Sequence, residues 1–126
     1  MLKILDIHLS PSPQSEYVVL QHHGLQTISL RGWAVVTDTW FWNEPERAAP
    51  EMYVFASDVP LKPYTRVVLF TGEGEDGWCP TTDGKQAYLV YMGRADSAWS
   101  TTECLHLVHV ASSRRARVQE TTANIP

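Results

Sequence analysis

Cysteine is scarce in this chain. Cys79 and Cys104 are the two in 126 residues, too few for a disulfide-built scaffold. Neither sits in a Cys-x-x-Cys or Cys-x-x-His arrangement, so no zinc signature is present. Both are expected to be reduced, although a sandwich could bring them together. Positive charge is also short: ten Lys and Arg against fourteen Asp and Glu leave a formal charge of −4. That argues against a basic nucleic-acid footprint spread over the surface, and leaves a local patch open. Long apolar runs are missing as well. Near the N terminus Lys3 is the first basic residue, Asp6 and His8 interrupt the apolar stretch, and Pro11 ends it. This excludes a signal-peptide core or a membrane-spanning segment there. The expected location is cytoplasmic, unless an upstream segment directs export. Finally, no amphipathic stretch is long enough to support a stable helix, which disfavours a parallel α/β fold.

What the chain does have is a succession of short apolar runs between turns. Residues 2–9 alternate, which puts Leu5, Ile7 and Leu9 on one strand face and Asp6 and His8 on the other. Ser10-Pro-Ser-Pro13 stops that strand. Residues 16–21 form the next, and His22-His23-Gly24 turns it. Residues 25–31 and 33–37 read as two short strands, or one strand broken by a bulge at Gly32. Trp33 is a core candidate. Residues 38–51 show no sustained alternation and predict a long loop with at most one helical turn. Residues 52–55, 66–70, 87–91 and 105–110 are strand-like. Residues 59–64 read as a turn and 71–85 as a second loop. The pattern predicts one all-β domain over 1–111, a two-sheet β-sandwich, followed by a flexible tail over 112–126. An open barrel is the alternative.

The order of these segments resembles the lamin-tail (intermediate-filament tail) domain family. The likeness rests on the strand ending at Leu9, on Glu16-Tyr-Val-Val-Leu20, on the Gly24 turn, and on Ile28-Ser-Leu-Arg-Gly-Trp-Ala-Val35 followed by Asp38. It continues through Val59-Pro-Leu-Lys-Pro-Tyr64 and the strand after it, then Ala98-Trp99-Ser100 and the closing strand at 105–110. Tyr64 stands where the family often carries the Gly of a Pro-Gly pair. The resemblance implies an immunoglobulin-like fold and a role in protein or chromatin contacts. It supplies no catalytic residues.

Several groups invite a functional reading. Trp40-Phe41-Trp42 in the 38–51 segment could present an aromatic anchor to a partner, or fold over one end of the sandwich as a satellite cluster. The acidic run Glu73-Gly-Glu-Asp-Gly77, with Asp83 beyond it, offers oxygen ligands but not the spacing of an EF-hand, so a solvated turn is expected. His22 and His23 are adjacent, and His106 and His109 would face opposite sides of a strand. Arg114, Arg115 and Arg117 could contact phosphates or an acidic surface. The vocabulary for a loop-built hydrolase is Glu73, Glu75, Asp76, Cys104 and His106, without a recognised pattern. The sequence thus points to a non-catalytic protein-interaction or self-association module that needs no metal or cofactor. A nucleic-acid accessory role comes second and a hydrolase third.

Overall fold

The computed structural model describes residues 1–110, 114 and 116–118. The chain runs through β1 (Leu2–His8), β2 (Tyr17–His22), β3 (Ile28–Ser29) and β4 (Trp33–Thr37) before two short helices, α1 (Asp38–Phe41) and α2 (Pro45–Glu51). It continues through β5 (Tyr53–Val54), β6 (Pro60–Leu61), β7 (Arg66–Phe70), β8 (Gly77–Pro80), β9 (Gln86–Tyr91) and β10 (Leu105–His109). The strands form a five-stranded sheet in the order β1-β2-β7-β9-β8, a three-stranded sheet β10-β4-β5 and a two-stranded ribbon β3-β6. The fold is therefore dominated by β-strands, in three sheets rather than the expected two, with helices where a loop was expected.

Alternation explains the large sheet. β2 buries Val18, Leu20 and His22 and β7 buries Val67 and Leu69, and the four aliphatic side chains join Leu30, Leu61 and Trp99 in the core. The opposite face carries a row of rings: His8 on Tyr17 at 5.0 Å between centroids, Tyr17 on Phe70 at 5.5 Å, and Phe70 on Tyr91 at 5.0 Å. β1 departs from its predicted face. The pairing slips between Ile4 and Asp6, so Leu5 is an extra residue; Leu2 is buried, and Leu5, Ile7 and Leu9 are exposed. A bulge reverses the apparent alternation along an edge strand, which pattern-reading alone does not detect.

β7 and β9 pair in parallel, Arg66 opposite Ala87 through Phe70 opposite Tyr91. Parallel neighbours need a crossover, and residues 71–85 supply it. Their expected loop contains β8, which turns through Gly84 (φ +79°) and pairs antiparallel with β9. Gly74 passes against the Tyr91 ring, where an added Cβ would clash with the ring carbons.

β4 is buried from Ala34 to Thr37 because both its faces are covered. Val35 joins the main core. Val36 lies opposite His106, which bears on Phe41, so α1 roofs that side. Gly32 has φ +91°, the conformation expected of a glycine break before Trp33. Trp33 itself is only partly buried and stacks on His109 at 4.2 Å. The fully buried tryptophan is Trp99. Its indole N–H donates to the Glu51 carbonyl at 3.1 Å. The backbone N–H groups of Ala98 and Trp99 donate to Glu16 Oε1, at 2.9 and 3.3 Å, and the Ser97 hydroxyl to Glu16 Oε2 at 2.7 Å. A buried carboxylate held by several donors replaces its lost hydration with fixed hydrogen bonds.

Candidate functional site

Local sequence dictates the helical corner after β4. Asn43 adopts φ +59°, a left-handed conformation that asparagine tolerates, and this ends α1 just after Trp42. Pro45 then opens α2, where a missing N–H costs nothing. The corner is tied down from beneath. The hydroxyls of Thr37 and Thr39 donate to Glu51 Oε1 at 3.3 and 2.9 Å, and all three residues are buried. His106 Nε2 bonds Asp38 Oδ1, and the His106 ring meets Phe41 edge-on at 4.8 Å.

On this support the three aromatic residues are neither swallowed by the core nor fully free. Trp40 is 48 %, Phe41 55 % and Trp42 60 % exposed. The buried satellite cluster is not what the fold makes of them. Trp40 and Phe41 meet edge-to-face at 5.1 Å, and Trp40 also walls a cavity of about 280 Å³ with Asn43, Glu44, Pro45, Ala48 and Met52.

The other predicted groups do not converge. Asp76 accepts a hydrogen bond from the Tyr91 N–H at 3.0 Å, and Asp83 lies on the far side of β8, pairing with Arg66 at 2.8 Å. Among the described residues no group of three His, Cys, Asp or Glu side chains could hold a metal. Cys79 and Cys104 are free thiols. His22 is buried, its Nδ1 accepting from the Gly24 N–H at 3.1 Å and its Nε2 meeting the Gln26 carbonyl at 2.5 Å. A Cβ on Gly24 would lie 2.5 Å from that ring, so this glycine is needed for space. Arg114 and Arg117 are exposed, and Arg115 with most of the expected tail lies outside the described residues. No described helix is long and apolar enough to cross a membrane.

Sequence reasoning missed a second concavity of about 460 Å³, where the 62–66 turn faces β8 and the start of β9. Two exposed rings, Tyr64 at 58 % and Trp78 at 45 %, and three cations, Lys62, Arg66 and Lys85, line it. Trp78 rests edge-on against Tyr88 at 5.2 Å. Asp83, at its margin, is held below the ordinary carboxyl range, first by the Thr81 hydroxyl, then by the Lys85 N–H and the charges of Arg66 and Lys85. The available sequence signal was Tyr64 itself. It has φ +66°, so the turn takes a left-handed geometry at a residue with a bulky side chain. That conformation costs a non-glycine residue about 1–2 kcal/mol.

No family model matches the chain, and no curated protein matches it.

Proposed function

We propose that this chain is a non-catalytic protein-interaction or assembly module whose contact surface is Trp40-Phe41-Trp42. The observation that carries the reading is three successive half-exposed aromatic residues on a corner held rigid by the buried Thr37–Thr39–Glu51 network. Exposed rings on a fixed support lose little side-chain freedom when a partner covers them, and aromatic anchors supply much of the energy of protein interfaces. The fold in this reading is an immunoglobulin-like sandwich of the lamin-tail kind, favoured by the Gly32–Trp33 break, the left-handed turn at Tyr64 and the core position of Trp99. Self-association has a second possible contributor in the edge strand β1, where Leu5, Ile7 and Leu9 are exposed. The Leu5 bulge works against simple sheet extension. A cytoplasmic setting suits two thiols left free.

The test combines sedimentation velocity over a wide concentration range with partner capture from native extract, using the unaltered chain and Trp42→Ala as parallel baits. A stoichiometric complex, with itself or another protein, that is lost from a folded Trp42→Ala supports the proposal. No association by either method, or association that Trp42→Ala leaves intact, rejects it.

A further inference from the structure

The groove between the 62–66 turn and β8 combines a feature of backbone geometry with a feature of charge. In the turn, Pro63 precedes Tyr64, and the Thr65 N–H donates to the Lys62 carbonyl at 3.1 Å. Proline second and a positive φ third is the type II pattern, whose third position is normally glycine. Tyr64 is forced into it from both sides. Its N–H donates to the His22 carbonyl at 2.6 Å, and its carbonyl accepts from the Gln21 side chain at 3.2 Å. His23 lies against its ring at 5.8 Å. Yet the ring is mostly open and stands at the groove. A strained conformation that delivers an exposed aromatic ring to a concavity points to a use for that ring.

Charge points the same way. The chain carries −4 overall, but the groove lining contains Lys62, Arg66 and Lys85 and no carboxylate. Asp83 engages Arg66 from the margin. Among the described residues, Lys62 and Lys85 have no ion-pair partner within 4.0 Å. Thr27, Thr65 and Gln86 add hydrogen-bonding groups. Rings that can stack on a flat heterocycle, beside cations suited to phosphate, are the two halves of nucleotide recognition. The volume of about 460 Å³ lies in the range of small-ligand pockets rather than of an extended strand path.

We propose that this groove binds a free nucleoside phosphate, with the base against Tyr64 and Trp78 and the phosphates toward Lys62 and Lys85. Arg66, already paired with Asp83, flanks the phosphates as a positioning residue. The site is separate from the aromatic corner at α1 and does not depend on a protein partner binding there.

Calorimetric titration of the full chain at low salt tests it, with ADP, GDP and UDP as probes and adenosine and pyrophosphate as the separate halves. At least one nucleotide should bind ten-fold or more tighter than either half. Trp78→Ala, and separately the pair Lys62→Gln with Lys85→Gln, should each weaken it about ten-fold, the lysine pair also flattening the salt dependence. Tyr64→Gly is the sharpest variant. Glycine favours this backbone geometry, so the melting temperature should hold or rise while affinity falls at least five-fold. Trp42→Ala should leave nucleotide affinity unchanged. The proposal is overturned by no nucleotide binding, by pyrophosphate binding as tightly as the nucleotides, or by affinity that survives Trp78→Ala and Tyr64→Gly in folded protein. Binding of a 5′-phosphorylated oligonucleotide without binding of any free nucleotide would also overturn it, in favour of a strand.

Discussion

Trp99 and Trp42 are the same residue in two opposite situations. Trp99 is fully buried, its indole N–H has a partner in Glu51, and its backbone N–H is gripped by Glu16. Trp42 caps a one-turn helix and leaves more than half its surface in water. Each helps explain the other, because Glu51 serves both regions: its backbone carbonyl receives Trp99, while its carboxylate receives Thr37 and Thr39 beneath the exposed corner. A buried ring with every polar group satisfied strengthens the fold. Exposed rings in a row, anchored to that same core, are available for contact.

Trp99→Ala should test the buried half most severely. Emptying the site should cost about 3–5 kcal/mol, read by urea denaturation, as for other large-to-small core changes. A loss below about 1 kcal/mol would mean that the buried ring contributes little to the core. Glu16→Gln comes next. The amide keeps the shape, but either orientation turns its N–H₂ toward a backbone N–H that can only donate, that of Ser10 or those of Ala98 and Trp99, so about 2–3 kcal/mol should be lost. A neutral result would show that the clamp needs neither the charge nor both acceptor oxygens of Glu16.

Thr39→Ala reaches the link between the two regions. It deletes a buried hydrogen bond to Glu51 without touching any exposed ring, and about 1 kcal/mol of stability should go. Association through the aromatic corner should weaken with it, measured by sedimentation, if rigidity beneath the rings matters. Trp42→Ala should change stability by at most about 0.5 kcal/mol, as for other surface substitutions. A larger loss would place Trp42 with Trp99 and erase the contrast.

Tyr53 offers the smallest effect and an intermediate environment. Burial foremost, then the charge of Asp76 and the neighbouring Tyr88, raises its phenol above the ordinary value of 10.0. The neutral ring is favoured in the folded state, so its contribution is complete below that ordinary value. It is lost as pH climbs through the raised native value, because the unfolded chain ionises first. A spectrophotometric titration should show one tyrosine ionising late, and Tyr53→Phe should remove that late step.

Much of the strand content was legible because it repeats with period two. The segment 66–70 coincides with β7, and β2, β4, β9 and β10 lie within a residue of their predicted runs. Gly32 was legible too, since a glycine interrupting an apolar run marks a special backbone conformation. The misreadings concern features without a local signature: the bulge in β1, the two-residue ribbon that pairs β6 with the distant β3, and the parallel crossover that contains β8. The helices at 38–51 were hidden by their brevity, since neither is long enough to display a full amphipathic period. Of the candidate sites, Trp40-Phe41-Trp42 was visible as a composition; the groove at Tyr64 and Trp78 was not, because its residues come from separate strands and turns.

By itself the sequence determined the short strands, their turns and the scarcity of positive charge, all properties of neighbouring residues. Tertiary structure alone decided which tryptophan is enclosed and which is offered to solvent. It also brought Glu16 to Trp99, set Glu51 beneath α1, and gathered Tyr64, Trp78 and the lysines around one concavity. The physical reason is that burial and electrostatic neighbourhood are created when distant segments pack, so no local pattern encodes them.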